Sequence, residues 1–205
     1  MVKRLVIASN NTHKTQEITE FFALFDQKVV NYRELHAEIQ FPTETVDNMQ
    51  ANVKAKAEAI QHILPDEYIL ADDSALFIPA LPDHFGVTTM REFKAHALKS
   101  DEAINQYILD LTDTVTDRSG YLQSDFLLLT PTGKQYPVQA QGGIAIANVP
   151  RGINGIDAIM ETPTGKTLGE MSVSERVDYA ARGKAAKAIV MYLNKEDKGE
   201  ISLCH

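Results

Sequence analysis

Short apolar runs of the strand type alternate along this chain with longer segments whose apolar residues recur at helical spacing. Residues 5–8 (LVIA) are typical of a buried strand, and a helical pattern follows over about residues 13–25. Strand patterns at 121–129 and 134–141 are separated only by Thr-Pro-Thr-Gly, which predicts a hairpin. Because both helical and hairpin connections are present, we expect an α/β fold with a mixed sheet flanked by helices.

The other elements are predicted from the same two periodicities. Helices are expected at about 48–63, 101–111 and 174–193, and strands at 68–70 and 143–146. Pro65 marks the end of the first of these helices, because proline disrupts a helix interior. No internal repeat and no low-complexity linker divides the sequence, so a single domain over residues 1–205 is expected.

The charge balance limits the partners of this protein. The sequence has 28 acidic and 20 basic side chains, and its net charge of −8 argues against nucleic-acid or membrane-surface binding. An anionic substrate would then need a local positive pocket within a negative exterior. The single cysteine, Cys204, rules out an intrachain disulfide framework, and the sequence shows neither a signal-peptide pattern nor an apolar segment of membrane-spanning length. We therefore expect a cytoplasmic protein.

The stretch YILADDSALF, residues 68–77, places two adjacent carboxylates inside an apolar run. Side chains of a strand alternate between its faces, so Asp72 and Asp73 cannot point the same way if the strand continues. Two neighbouring anions repel each other and gain nothing from burial, which indicates that something else in the folded protein requires negative charge there. The plainer interpretation is that the pair caps a loop, because Asp and Ser are common where strands end.

The segment SNNTHK, residues 9–14, lies between the first predicted strand and the start of the first predicted helix. A helix N-terminus offers unpaired amide N–H groups and a positive dipole end, which suit a phosphate, and Lys14 adds a mobile cation. The plainer interpretation is that Ser9, Asn10 or Asn11 only caps the helix and that Lys14 is solvated. The glycines of the Walker loop and of the dinucleotide fingerprint are absent from this segment.

Glu44 and Asp47 stand just before the helix predicted at 48–63. Carboxylates at that position stabilise the helix dipole, which is one interpretation. The other is a cation site, because Mg²⁺ takes one or two carboxylates together with waters and substrate phosphates. Glu44 with Asp72 or Asp73 would meet that requirement. Since strand ends of an open α/β sheet gather in one crevice, the phosphate-type loop and the carboxylates together predict a metal–nucleotide site.

These motifs resemble those of the inosine triphosphate pyrophosphatase family, enzymes that hydrolyse noncanonical purine nucleoside triphosphates to monophosphate and pyrophosphate. The matching blocks are Ser9-Asn10-Asn11 with Lys14 and Glu17, Glu44-Thr45 with Asn52 and Lys56-Ala57, Ala71-Asp72-Asp73-Ser74 with Leu76, Gly86-Val87 with Arg91, and Gly165, Thr167, Glu170-Met171 and Arg182-Gly183 near the C-terminus. Together they extend over nearly the whole chain.

The resemblance implies an elongated central sheet and two lobes with an active-site cleft between them, and it implies a homodimer. It also assigns triphosphate binding to Ser9, Asn10, Asn11, Thr12, His13 and Lys14. Glu44 and Asp73 would hold Mg²⁺, with Mn²⁺ as an alternative, Asp73 would also activate the attacking water, and Ser74 would touch the substrate. In this interpretation Asp73 faces the cleft, whereas Asp72 shapes a turn or supports the cation indirectly.

The residues expected at the nucleobase depart from the family pattern. The Phe-Gly-Tyr-Asp loop of the family reads Asn154-Gly155-Ile156-Asp157 here, so a ring that stacks on the base, a contact worth roughly 1–3 kcal/mol, is replaced. The Ser-His-Arg triplet reads Ala180-Ala181-Arg182, and Arg176 stands where the family has lysine. The positions Asn154, Gly155, Ile156, Asp157, Arg176 and Arg182 are still expected to contact substrate.

Three functions follow from this pattern. The first is a metal-dependent pyrophosphatase for noncanonical nucleoside triphosphates of the ITP, dITP or XTP type, with altered base selectivity. The second is a nucleotide-binding or sensing protein that has lost catalysis, which the replaced residues Asn154 and Ala181 favour. The third is a pyrophosphatase for a different modified nucleotide, because the phosphate end would be unchanged.

Overall fold

The computed structural model of the protein describes residues 3–153 and 155–197. The strands are β1 (Leu5–Ile7), β2 (Val29–Asn31), β3 (Tyr68–Phe77), β4 (Tyr121–Leu129), β5 (Gln135–Gly142), β6 (Ala145–Ile146) and β7 (Met160–Glu161). The helices are α1 (Thr12–Ala23), α2 (Met49–Ile63), α3 (Thr89–Ala95), α4 (Asp101–Thr112), α5 (Val173–Arg176) and α6 (Ala181–Asp197), with single 3₁₀ turns at Tyr32–Glu34, Gly155–Ala158 and Leu168–Glu170.

Five strands form one mixed sheet in the order β2-β1-β3-β4-β5. β1 runs parallel to β2 and β3, whereas β4 runs antiparallel to β3 and β5. β6 and β7 pair separately as a two-stranded sheet. The predicted α/β class with a mixed sheet flanked by helices is therefore confirmed, and the division into two lobes stays a prediction.

Helices cover both faces of the five-stranded sheet. The β1 residues Leu5 and Ile7 belong to an apolar cluster with side chains of α1 and α6, whereas Val6 and Ala8 belong to a second cluster with side chains of α2. A strand buried on both faces is apolar at every position, which explains the continuous LVIA run. None of the helices in the described ranges is long and apolar enough to cross a membrane.

The strand β3 continues through the acidic pair, so its predicted end at residue 70 was wrong. β3 is paired with β4 from Ile69, opposite Leu129, to Phe77, opposite Tyr121. The main chains of Asp72 and Asp73 thus belong to the ladder, and Asp72 shapes no turn. An uninterrupted strand is tolerated here because, as described below, each carboxylate is neutralised by cations that tertiary structure brings to its own face.

The helix predicted at 174–193 is in fact two helices, α5 and α6. Ser172 caps α5 with a capping box that includes Glu175, and the chain turns before α6 begins. The turn is so tight that a Cβ atom at Gly183 would lie 2.6 Å from main-chain atoms of Val177. Residues six apart in one continuous helix cannot approach in this way. The short elements β2 and α3 were not predicted, because they contain too few residues to show a period.

Candidate active site

A cavity of about 570 Å³ opens between α1, the middle of β3 and the segment that contains α5 and α6. Nine of the residues predicted to bind substrate line it: Asn11, His13, Lys14, Ser74, Gly155, Ile156, Asp157, Arg176 and Arg182. Of the described residues predicted for substrate or metal, Ser9, Asn10, Thr12, Glu44 and Asp73 lie outside this lining. Asn154 falls outside the part of the chain that the structure describes.

The loop before α1 is held by its own polar side chains. Asn11 is the N-cap, because its Oδ1 accepts a hydrogen bond from the amide of Lys14 at 3.0 Å, and Ser9 Oγ accepts one from the amide of Asn11 at 3.1 Å. Asn10 turns away and accepts a hydrogen bond from the hydroxyl of Tyr32, just after β2. The capping interpretation is therefore confirmed for Asn11.

Lys14 is not solvated, because it lies against Asp72 inside the cavity. Its Nζ is 3.1 Å from Asp72 Oδ1, and Arg182 Nε donates a hydrogen bond to Asp72 Oδ2 at 3.2 Å. Ser74, two residues along the strand on the same face, donates a hydrogen bond to Asp72 Oδ2 at 3.0 Å. The Asp72 side chain is fully buried, and its carboxylate fixes the positions of two cations that line the cavity.

Burial and the neighbouring charges act in opposite directions on the pKa values of these groups. Burial acts to raise the pKa of Asp72, but the charges of Lys14 and Arg182 outweigh it and lower that pKa to about 2. Burial also lowers the pKa of the Lys14 ammonium, although Asp72 acts in the opposite direction. A desolvated cation attracts an anionic ligand more strongly than a solvated one, so the Lys14 end of the cavity suits phosphate.

Asp73 points to the opposite face of β3, toward α2. Its Oδ2 accepts a hydrogen bond from Asn52 Nδ2 at 3.2 Å, and its Oδ1 is 3.6 Å from Lys56 Nζ. Lys56 Nζ also contacts Glu44 Oε1. Glu44 and Asp73, which are distant in sequence, thus converge on one ammonium group. Burial lowers the pKa of Lys56, but Asp73 and Glu44 outweigh that effect and raise it.

Charged side chains on the two faces of β3 interact electrostatically. The charges of Asp73 and Lys56 act on Lys14 in addition to that of Asp72. The pKa of Glu44 is raised by burial and lowered by Lys56 and Lys14, with a net decrease. Lys14 and the carboxylates of Glu44 and Asp73 therefore influence one another electrostatically, although neither carboxylate lines the cavity, and a shared metal–nucleotide site stays a prediction.

The donor set of Glu44 and Asp73 fits a divalent ion of the Mg²⁺ type. Within residues 3–153 and 155–197, no group of three or more His, Cys, Asp or Glu side chains is arranged to hold a metal ion. Two carboxylates around one cation, with the remaining ligands from water and phosphate, are however what Mg²⁺ usually takes from a protein. The residues present thus fit a metal that binds together with a polyphosphate.

Arg176 and Asp157 form a second buried ion pair in the cavity. Arg176 donates a hydrogen bond from Nη1 to Asp157 Oδ2 at 3.2 Å, and its guanidinium lies 5.3 Å from the ring centroid of Phe21. Its Nη2 is 3.9 Å from Glu17 Oε1 and 4.0 Å from Glu20 Oε2. Burial raises the pKa of Asp157 to about 7, and Glu17 adds to the increase while Arg176 opposes it.

The sequence model of the Ham1 family matches residues 5–192 of this chain. This protein belongs to the Ham1 family. The resemblance that its motifs indicated is thereby confirmed over nearly the whole length.

Relatives and solved structures agree with this assignment to the Ham1 family. The chain is 32% identical to a dihydroneopterin triphosphate diphosphatase of Limosilactobacillus reuteri, with 95% of this chain and 100% of the relative covered. It is also 32% identical to a dITP/XTP pyrophosphatase of Leuconostoc mesenteroides, with 96% and 100% covered. The structure of the Staphylococcus aureus Ham1 protein superposes with a TM-score of 0.76 at 28% identity and covers 95% of this chain and all of that one.

Two acidic residues of this Ham1 site were given no role from the sequence, although Glu17 belongs to the first motif of the resemblance. Glu17 contacts Arg182, and both Glu17 and Glu20 line the cavity. Their spacing of three residues from Lys14 and from each other places all three on one face of α1, so helical geometry was the signal that would have found them.

Proposed function

We propose that this Ham1-family protein hydrolyses noncanonical nucleoside triphosphates of the ITP, dITP or XTP type to a nucleoside monophosphate and pyrophosphate. The observation that supports this best is the pairing of Lys14 and Arg182 with the fully buried Asp72 carboxylate, with Glu44, Asp73 and Lys56 within electrostatic range of Lys14. The Leuconostoc mesenteroides relative has the corresponding name, dITP/XTP pyrophosphatase.

The phosphate end of the substrate would lie against Lys14 and the first turn of α1. Asp72 holds Lys14 in place at 3.1 Å, so the cation is preorganised and loses little side-chain entropy when a phosphate arrives. The positive dipole end of the helix would act on the same ligand. Hydrolysis of a polyphosphate depends mainly on such positioning and charge neutralisation.

Glu44 and Asp73 would hold Mg²⁺ or Mn²⁺, which when bound supplies charge neutralisation and orientation of the polyphosphate. Lys56, which contacts both carboxylates, holds them close together. This assignment fits the two-carboxylate donor set described above.

Asp73 is the proposed general base. A water oxygen forms a new bond to the α-phosphorus. The bond between this phosphorus and the oxygen that bridges to the β-phosphorus breaks, and pyrophosphate leaves with the bonding electron pair. The proton of the water passes to the Asp73 carboxylate. Asn52, which donates to Asp73 Oδ2 at 3.2 Å, fixes the orientation of this carboxylate. Ser74 lines the cavity on the other face of β3 and would contact the substrate there.

A second candidate is a triphosphate with a ring other than a purine. The Limosilactobacillus reuteri relative, 32% identical over its full length, is named a dihydroneopterin triphosphate diphosphatase. This candidate is favoured by the base-end departures at residues 154, 176 and 181, which alter ring contacts without touching the phosphate end. A homodimer in the cytoplasm is the assembly and location that we propose with either candidate.

The test is pyrophosphate release from a panel of nucleoside triphosphates, with Mg²⁺, with Mn²⁺ and with a chelator. We expect turnover of at least one noncanonical triphosphate, its loss with the chelator, and its abolition by Asp73→Asn in a folded protein. Asp110→Asn, an exposed change of the same kind on α4, is the matched control and should retain activity. Tight binding without turnover would support the sensing alternative. A protein that shows no binding and no turnover with any triphosphate would refute both the hydrolase and the sensing protein.

A further inference from the structure

The carboxylate of Glu44 is carried by a long connecting segment. Between the 3₁₀ turn at Tyr32–Glu34 and α2, which begins at Met49, residues 35–48 contain no helix or strand. The Glu44 side chain is 41% exposed, so packing against the core does not fix its position. A segment of this length without secondary structure is uncommon in a compact domain and usually serves a function. The contacts that hold it therefore set the position of a proposed metal ligand.

Arg91 forms hydrogen bonds to the main chain of this segment at Glu44 itself. Its Nη2 donates to the Glu44 carbonyl at 2.6 Å and to the Thr45 carbonyl at 3.1 Å. Within residues 3–153 and 155–197, the main chain of Glu44 forms no other hydrogen bond. The amide of Thr45 donates to Asn52 Oδ1 at 2.7 Å. Asn52 on α2 therefore fixes Thr45, whereas Arg91 on α3 fixes the main chain of Glu44.

The helix α3 is a firm support for Arg91, because the residues on either side of it are buried. The hydroxyl of Thr89, which is 3% exposed, accepts a hydrogen bond from the amide of Leu76 on β3 at 3.1 Å. Phe93 is 1% exposed and belongs to the apolar core. Thr89 and Met90 also line the cavity. The helix that borders the proposed substrate site thus also holds the segment with Glu44.

The charge of Arg91 and its hydrogen bonds would act on a divalent ion in opposite directions. Burial raises the pKa of Glu44, and Lys56, Lys14 and Arg91 lower it, so the charge of Arg91 reaches this carboxylate. A positive charge near a cation site repels the ion, and removal of that charge alone would strengthen metal binding. Loss of the hydrogen bonds would instead free the main chain of Glu44 and weaken metal binding.

Resting on the proposed function, we infer that Arg91 is a positioning residue that holds the Glu44 carboxylate in place for the divalent ion. The guanidinium group is suited to this role, because its donors are fixed in one plane and can serve two neighbouring carbonyls. Asn52 has the equivalent role for Asp73, to which it donates a hydrogen bond at 3.2 Å. Each of the two proposed metal carboxylates is thus oriented by a side chain from a different helix.

The first experiment titrates Mn²⁺ into the full-length protein without nucleotide and measures the free ion by electron paramagnetic resonance. Replacement of a residue that orients a metal ligand typically costs about tenfold to hundredfold in affinity, so Arg91→Met should raise the Kd for Mn²⁺ about tenfold or more. Arg91→Lys keeps the charge but not the planar donors, and should also weaken binding, by a smaller factor. Lys94→Met removes an exposed cation from the same helix and is the matched control, with wild-type affinity expected.

The second experiment measures pyrophosphate release as a function of Mn²⁺ concentration. Arg91→Met should need about tenfold more Mn²⁺ for half-maximal turnover and should approach the wild-type kcat once the metal is saturating. A merely structural defect would lower kcat at every metal concentration. Thermal unfolding without metal checks the fold, and Arg91→Met should unfold at nearly the same temperature as Lys94→Met.

Three outcomes would overturn this inference. The first is Mn²⁺ binding by a folded Arg91→Met that is as tight as in the wild type, or tighter, because the charge of Arg91 would then be its main effect. If Arg91→Met does not fold, Arg91→Lys decides alone, and wild-type affinity in that variant is the second. The third is a wild-type protein that binds no Mn²⁺. In each case the pyrophosphate assay with the nucleotide panel still decides the proposed function separately.

Discussion

Asp72→Asn and Asp73→Asn are chemically identical changes at adjacent residues, and we expect the first to affect stability and the second to affect turnover. Asp72 lies under Lys14 and Arg182 with its side chain fully buried, whereas Asp73 contacts Asn52 and Lys56 on the other face. The first change should destabilise the fold. The second should abolish turnover and leave the fold nearly as stable as before.

The magnitude at neutral pH follows from the buried pairs. Removing one partner of a buried ion pair costs about 3–5 kcal/mol, because the other charge is left uncompensated. Arg182 retains Glu17, but Lys14 loses the carboxylate that contacts it, so we expect about 3 kcal/mol for Asp72→Asn. Asp73→Asn leaves Glu44 as the partner of Lys56, and its cost should be about 1 kcal/mol or less.

The pH dependence provides a second, independent measure. The pKa of Asp72 falls from 3.8 to about 2 on folding. A lowered carboxyl pKa contributes stability that is present above the unfolded value and lost as the pH falls through the folded value. A shift of nearly two units corresponds to about 2 kcal/mol, present above about pH 4 and lost progressively toward about pH 2.

Urea unfolding followed by circular dichroism between about pH 7 and about pH 2 would measure both quantities. The wild-type protein should lose about 2 kcal/mol more than Asp72→Asn over the acidic part of this range. Parallel acid profiles for the two proteins, or an Asp72→Asn protein as stable as Asp73→Asn at neutral pH, would refute the burial argument for Asp72.

Two further predictions concern the phosphate end and the packing of the main chain. Lys14→Met should weaken binding of a non-hydrolysable triphosphate analogue at least tenfold in calorimetric titration, because the buried cation of the cavity is lost; unchanged affinity would exclude a phosphate role for Lys14. Gly142→Ala should cost about 3 kcal/mol, because its Cβ would lie 2.2 Å from the main-chain nitrogen of Ala181. Gly133→Ala in the hairpin turn is the comparison variant, because Gly133 has φ of +81° but open space around it, and it should cost only about 1 kcal/mol. Urea unfolding would measure the stability of both variants. The reverse order would contradict these contacts.

Elements with a clear local period could be predicted from the sequence. The hairpin of β4 and β5 forms around the Thr-Pro-Thr-Gly turn, where Gly133 donates its amide to the Thr130 carbonyl at 2.9 Å. The helix α2 ends at Ile63, just ahead of Pro65. These features depend on neighbouring residues alone, so the pattern was sufficient.

The continuation of β3 and the break between α5 and α6 depended on distant contacts. A carboxylate pair in an apolar run indicates a strand end unless cations from elsewhere neutralise it. The cations that do so come from α1, α2 and α6, as Lys14, Lys56 and Arg182. Their approach to β3 has no local signature.

The sequence by itself determined which chemical groups are available: a lysine at a helix start, two adjacent carboxylates and a glutamate ahead of a helix. It also determined that the two carboxylates would separate if the strand continued, because side chains alternate along any strand. Only the tertiary structure decided that Asp72 anchors the cations of the cavity and that Asp73 joins Glu44 around Lys56. The physical reason is that burial and charge pairing are properties of residues brought together by packing, and the partners of Asp72 lie as far as 110 positions away in the chain.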